Sequence, residues 1–187
     1  MPAWKRILDW FATICIALAF VLVFEAEVAK PYRIPSSSME PTLHCARPGP
    51  WCEAGFSDRV IVNRLAYRFD APKRGQIVVF TAPAAAAADC GEGGTYVKRL
   101  IGLPGDVVSE RGGVVSVNGT RLREPYASGT KHDDITGTWR VPAGHYFFMG
   151  DDRSHSCDSR TWGSVPRSSL IGPLLVTYWP PNRLSLH

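Results

Sequence analysis

The sequence predicts a mainly β domain carried behind one apolar N-terminal helix. Three observations predict it: a single long apolar segment at the start, a series of short β-branched runs closed off by Asp, Pro and Gly, and no convincing helical periodicity beyond Phe24. At 187 residues and 45% hydrophobic, the chain is long enough for one domain with a core of its own.

Lys5 and Arg6 precede Ile7 to Phe24, a segment broken only by Asp9 and Thr13 and almost continuously apolar from Phe11. Its residues, at about 1.5 Å each, span roughly 27 Å, close to the hydrocarbon thickness of a bilayer. Trp4 and Trp10 are placed to sit at the headgroups. A cleaved secretory leader fits less well. Removal after Ala26 or Ala29 would put Phe24 or Glu27 three residues before the cut, where a small side chain is needed. The segment therefore reads as a retained anchor. Positive charge before the span, with Glu25 and Glu27 after it, orients residues 1–6 to the cytoplasm, 7–24 in the bilayer and 25–187 outside. The expectation is therefore a single-pass protein of the inner (plasma) membrane with an extracytoplasmic β-rich domain.

In that domain Arg59 to Arg64 and Gly75 to Phe80 read as strands, followed by Tyr96 to Ile101, Val107 to Ser109 and Val114 to Val117. Tyr146 to Met149 and Leu174 to Tyr178 complete the series, and Asn118-Gly119 is a hairpin signal inside a small insertion over 109–140. Ala84 to Ala88 would start a helix in isolation, but Pro83 and the glycines of 91–94 predict a surface loop over 81–95. The formal charge of +4 comes from dispersed Lys and Arg without a basic run or stacking platform, which argues against nucleic acid and for a basic face beside anionic lipid.

Ile34 to Leu43, the stretch IPSSSMEPTL, carries the most distinctive local chemistry. Pro35 and Pro41 restrict the backbone at both ends, so Ser36, Ser37 and Ser38 are expected on a stiff, non-helical turn that can present a nucleophile or simply form a polar surface loop. A serine nucleophile needs a base. The five histidines, His44, His132, His145, His155 and His187, sit in unrelated local contexts and offer none by local spacing, which leaves a triad assembled in space open. Lys98 lies in an apolar strand where burial would favour the neutral amine. Asp151, Asp152, His155, Cys157 and Asp158 have no recognised ligand spacing, so neither metal nor other cofactor is expected. Cys45 and Cys52 lie outside the membrane, where disulfides persist, and are expected to bridge. Cys90 and Cys157 form a possible second pair, with Cys15 in the span; four cysteines allow three connectivities.

Three ordered boxes carry a family resemblance: Pro35 to Leu43, Tyr96-Val97-Lys98-Arg99 through Gly105-Asp106, and Gly150-Asp151-Asp152-Arg153 through Asp158-Ser159-Arg160. Together with the anchor and Asp58-Arg59-Val60, they resemble the bacterial type I signal peptidases, or leader peptidases. The resemblance implies a mainly β catalytic domain with a Ser/Lys dyad that removes signal peptides from exported preproteins after small residues. By position it implies Ser38 as nucleophile, Lys98 as general base, and the Ser36 hydroxyl with the Ser38 N–H as oxyanion donors. Ser156 would orient Lys98, and Arg99, Asp158 and Arg160 would be supporting ion-pair residues. The short 109–140 region resembles family members that lack a large second domain.

The third box departs from the family at Asp152, Ser154 and His155, where amides are expected at the first and last and Asp or Asn near Ser154. A carboxylate facing Lys98 would favour the ammonium, so Asp152 is expected to point to solvent or to Arg153. Two other readings stand beside the leading one: a related peptidase dedicated to a conjugation or pilus substrate, and a non-enzymatic extracytoplasmic binding module.

Overall fold

The computed structural model describes residues 3–91, 93–127 and 135–187; His132 and part of the expected 109–140 insertion lie outside the described residues. Helix α1 (Ala3–Glu27) extends past the apolar segment at both ends. From Trp4 to Glu25 it is long and apolar enough to cross a membrane, and none of that stretch is buried against the protein. A helix apolar on all faces with no protein covering it suits lipid.

Among the described residues twelve strands follow: β1 (Ala29–Arg33), β2 (Arg59–Asn63), β3 (Ile77–Thr81), β4 (Thr95–Gly102), β5 (Val107–Arg111), β6 (Val114–Val117), β7 (Thr120–Arg121), β8 (Gly137–Arg140), β9 (His145–Met149), β10 (Val165–Pro166), β11 (Leu170–Trp179) and β12 (Ser185–Leu186). Short helices α2 (Ala66–Phe69), α3 (Ala84–Cys90) and α4 (Ser159–Trp162) interrupt them. The larger sheet runs β1-β2-β11-β3-β4-β9-β10 with β12 on β11, and the smaller runs β7-β6-β5-β8; every strand pair is antiparallel. Strand β11 pairs with β3 through Leu170 to Pro173 and with β2 through Leu174 to Trp179, with register shifts that curl the sheet. Gly172 makes this possible, because a Cβ there would lie 2.1 Å from the Asn63 carbonyl oxygen.

Val78, Phe80, Leu100, Phe148 and Trp162 form one core cluster, and Ile101, Val108, Val115, Phe147 and Met149 join the two sheets in a second. Ile34, Met39, Leu43, Val60, Ile77 and Leu174 form a third, directly beneath the serine turn. Each strand expected from the sequence is present. The weaker strands β1, β7, β8, β10 and β12 were not expected, because they are short or carry Pro and charge. Pro31 is tolerated because β1 lies at a sheet edge. The Asn118-Gly119 turn joins β6 to β7 with φ of 52° and 79°, as a two-residue hairpin requires.

Two local expectations are corrected. The alanine run is not a loop but helix α3, with Pro83 as N-cap, Gly91 closing it at φ 73°, and Ala86 fully buried in the first core cluster. The serine turn is not free of helix either, since Ser37–Met39 makes one turn of 3-10 helix.

Cys45 is bonded to Cys52 and Cys90 to Cys157. Sequence separations of 7 and 67 predict unequal worth. On the chain-entropy model, Cys90→Ser with Cys157→Ser should cost about 4 kcal/mol, against about 2.5 kcal/mol for the Cys45/Cys52 double replacement. Urea midpoints of the two double variants measure the difference, and equal losses would show that loop length does not set it.

Candidate active site

The serine turn is held from below and from both sides. Ile34, Met39 and Leu43 are buried in the third cluster, the Ile34 N–H donates to the Asp58 carbonyl, and Glu40 N–H closes the turn on Ser37 O at 2.8 Å. Glu40 is itself buried, and its carboxylate accepts the Cys45 and Glu53 N–H groups at 3.1 and 3.4 Å and contacts the His44 ring. The disulfide loop is thereby tied to the turn. Ser38 is 8% exposed, with its hydroxyl 3.5 Å from that of Ser36.

Lys98 reaches the same place from β4. It is 4% exposed, and its Nζ donates to the Ser156 hydroxyl at 3.0 Å; Ser156 donates in turn to Asp158 at 2.7 Å. Asp158 also receives the Gly150 N–H at 3.0 Å and two bonds from the Arg160 guanidinium, at 2.8 and 2.9 Å. Burial pushes the Asp158 carboxyl up, but the Arg160 bonds and charge, Lys98 and the Gly150 N–H outweigh it and hold the group below the usual carboxylate range. A depressed folded value means that its stabilising effect is complete above about pH 4 and is lost only as pH falls through the lowered value. Asp158 therefore stays an acceptor at neutral pH, which fixes the direction of the chain from Lys98 through Ser156.

Arg99, the next residue along β4, clamps Asp151 with two bonds of 2.7 and 2.5 Å, donates to the Gly75 carbonyl and stacks on Tyr126. Asp151 also takes the Thr42 hydroxyl at 2.6 Å, so this ion pair joins β4, the segment after the serine turn and the end of β9. Gly150 sits at the closest approach: a Cβ there would lie 2.3 Å from Ser156 Oγ and 2.4 Å from the Ser38 carbonyl oxygen.

A cleft of about 410 Å³ opens over these groups, walled by residues 32–36 on one side and 95–98 on the other, with Ser38, Met39, His155, Cys90 and Cys157 completing it. Strand β9 pairs with β4 at Arg99, Leu100 and Gly102, and residues 95–98 lie ahead of that pairing, along the cleft. The family model described as signal peptidase, peptidase S26 matches residues 7–179. The chain belongs to the signal peptidase family. A signal peptidase I of Leptolyngbya laminosa is 37% identical over 179 residues, covering 95% of this chain and 82% of that protein. Signal peptidase IB of Staphylococcus aureus is 33% identical over 193 residues, covering 94% and 91%. A crystal structure of a signal peptidase I from Enterococcus faecalis is 33% identical, with a TM-score of 0.47, covering 56% of this chain and 97% of that one. Membership makes the protein a serine protease, a hydrolase, and sets aside the reading as a non-enzymatic binding module.

In this signal peptidase Ser36, Ser38 and Lys98 of the residues expected at the site line one cleft, Ser156, Asp158 and Arg160 follow Lys98 in one hydrogen-bonded chain, and Arg99, next to Lys98 on β4, is bonded to Asp151 instead. Asp152 is the exception to expectation. Its carboxylate, part-exposed to solvent at 13%, pairs not with Arg153 but with His155 Nδ1, at 2.8 Å, while Arg153 is taken by Glu124 and the Gly150 carbonyl. The His155 ring stacks on Trp51 of the disulfide loop with centroids 4.1 Å apart. An imidazole that lines the cleft is thus paired with a carboxylate behind it, which the scattered sequence positions of the histidines concealed. Since Asp152 is paired there, Asp152→Asn should leave the pH–rate profile nearly unchanged. A displaced basic limb in steady-state kinetics would instead couple it to Lys98. Glu40, Gly150 and Asp151 lie inside the recognised boxes, but sequence reasoning gave them no role. A buried arginine demands a carboxylate, so Arg99 was the signal for Asp151.

Proposed function

We propose that the protein is a membrane-anchored endopeptidase in which Ser38 is the nucleophile and Lys98 the general base, removing signal peptides from exported preproteins after small residues. The observation that carries this reading is the directed chain from Lys98 through Ser156 to Asp158. Asp158 can only accept, so the Ser156 hydrogen is committed to it and the Ser156 oxygen must accept from Lys98. A neutral amine donating in that direction keeps its lone pair for the Ser38 proton. Burial favours that neutral form, and Arg160 offsets the Asp158 charge that would oppose it.

The reaction follows from these positions. Lys98 accepts the Ser38 proton as Oγ attacks the scissile carbonyl carbon, and the Ser38 N–H and Ser36 hydroxyl donate to the oxyanion that forms. The ammonium of Lys98 then protonates the departing amine, leaving the signal peptide as an ester on Ser38. Lys98, neutral again, takes a proton from the water that attacks the ester and returns it to Ser38 Oγ as the acyl carbon–Oγ bond breaks, releasing the signal peptide as a carboxylate. An extended substrate lies in the cleft between residues 32–36 and 95–98, where Ile34, Met39 and Val97 leave room for small side chains. Residues 7–24 hold the enzyme in the plasma membrane with residues 25–187 outside, so that substrate and site share one surface and an effective concentration far above that in bulk.

N-terminal sequencing of a model preprotein after incubation with the purified protein in detergent tests the reading; intact preprotein, or cleavage away from an A-x-A-like site, would overturn it. Ser36→Ala removes one oxyanion donor and should lower turnover by about 100- to 1,000-fold while leaving measurable cleavage. An unchanged kcat would assign that donor elsewhere.

A further inference from the structure

Where α1 meets the domain, Glu27, Arg64, Arg68, Arg167, Ser168 and Ser169 line a polar pocket of about 350 Å³ that shares no lining residue with the cleft. Three arginines against one glutamate give its lining a charge of 3 − 1 = +2. The groups are not equally engaged. Arg167 is fixed by donating to Tyr146 Oη at 3.2 Å and to the Tyr67 carbonyl at 2.9 Å. Arg68 meets Glu27 at 3.0 Å, but both are largely exposed, so the pair is weak. Among the described residues the Arg64 guanidinium and the Ser168 and Ser169 hydroxyls have no hydrogen-bond or ion-pair partner, although all three line the pocket.

The height of the pocket identifies its occupant. The apolar stretch ends at Glu25, and Glu27 in the pocket wall lies two residues further along the same helix, about 3 Å at the helical rise. The Arg64 N–H donates to the Val28 carbonyl at 2.9 Å, which ties the arginine-bearing segment to the helix end. If α1 crosses the bilayer, the pocket lies in the headgroup layer, which is several ångströms deep. Phe69, 83% exposed and next to Arg68, adds an aromatic side chain of the kind that settles at this interface.

We infer that this pocket binds the phosphate of an anionic phospholipid headgroup, with Arg64 as its main ligand and the Ser168 and Ser169 hydroxyls as further donors. The inference rests on the proposed membrane anchor. A planar guanidinium forks onto phosphate oxygens, and hydroxyls beside it complete a cradle of donors. The bound lipid would fix the rotation of the domain about α1, because the pocket takes groups from the helix end, the segment after β2 and the turn before β11.

Full-length protein in an uncharged detergent, titrated with short-chain phosphatidylglycerol, short-chain phosphatidylcholine or inorganic phosphate and read by thermal unfolding, tests this. Phosphatidylglycerol should raise Tm in a saturable way and the other two should raise it little. Arg64→Gln should weaken the apparent affinity by about ten- to a hundredfold, with Tm in the absence of lipid nearly unchanged. Arg64→Lys should fall between. An equal response to phosphate would make the pocket a soluble-anion site, an equal response to phosphatidylcholine would remove the charge selectivity, and an unaltered response in a folded Arg64→Gln protein would place binding elsewhere. Each of these overturns the inference. Carbonate extraction of cell membranes tests the anchor separately, since a protein released there would fail as an anchored enzyme whatever the micelle titration shows.

Discussion

Lys98→Arg should abolish preprotein cleavage as completely as Lys98→Ala. Arginine keeps the positive charge and much of the length, so a lysine serving structure or electrostatics would be partly rescued by it. A general base would not be, because a guanidinium cannot surrender its proton at any working pH. The same comparison separates the proposed dyad from the arrangement its neighbour suggests. His155 lines the cleft with its Nδ1 on Asp152, as the histidine of a Ser-His-Asp triad would be held. If His155 were the base, His155→Ala would erase activity and Lys98→Arg would spare it. The expected result is the reverse, with His155→Ala within about tenfold of the parent enzyme, since its assigned role is to pack on Trp51 and pair with Asp152. Ser38→Ala should eliminate turnover and labelling by a serine-directed acylating probe while preprotein binding persists. Measured kcat and probe labelling on folded variants decide between the two bases, and near-normal cleavage by Lys98→Arg would reject the Ser/Lys mechanism.

Gly150→Ala should be nearly as damaging, although it adds a single methyl group. The new carbon would lie 2.3 Å from Ser156 Oγ, 2.5 Å from Ser156 Cβ and 2.4 Å from the Ser38 carbonyl oxygen, all below the 3.0 Å that real Cβ contacts respect. No rotamer relieves this, because one of the three contacts is backbone. The strain must be taken up by parting the Ser38 turn from Ser156, and Lys98 is hydrogen-bonded to Ser156. A displacement of about 1 Å in such a constellation costs roughly 100-fold in rate, and overpacking costs about 1–3 kcal/mol in stability. The expected outcome is a folded protein with kcat down by at least about 100-fold and Tm lowered by several degrees. A kcat within a few-fold of the parent would mean that the turn and the Ser156 segment can move apart without harm to the reaction.

The two predictions draw on different parts of what a chain discloses. Ser38, Lys98 and the box around Asp158 were legible through the resemblance of three ordered motifs to a family; the proline-braced serine turn and the apolar neighbours of the lysine are consistent with that reading but do not single it out locally. The strongest strands and α1 were legible for a different reason. Apolar runs and Asn-Gly turns act over a few residues, and the same physics operates on them in the isolated segment and in the fold. Helix α3 shows where that ends: its alanines favoured a helix and its flanking Pro and Gly an interruption. The burial of Ala86 against the first core cluster and the Cys90–Cys157 bond, 67 residues apart, accompany the helical outcome.

What the amino-acid sequence determined by itself was the apolar helix at the start and the β character of the domain, while the groups proposed to react were named through the resemblance of three ordered boxes to a family. Only the tertiary structure decided which groups meet. Ser156 reaches Lys98 across 58 positions and Asp151 reaches Arg99 across 52, and Asp152 turns to His155 under Trp51 instead of to Arg153. Gly150 matters only because two remote segments close on it. The physical reason is that buried charges and hydrogen-bond donors are satisfied by whichever partner packing brings within about 3 Å, and that choice belongs to the folded chain as a whole.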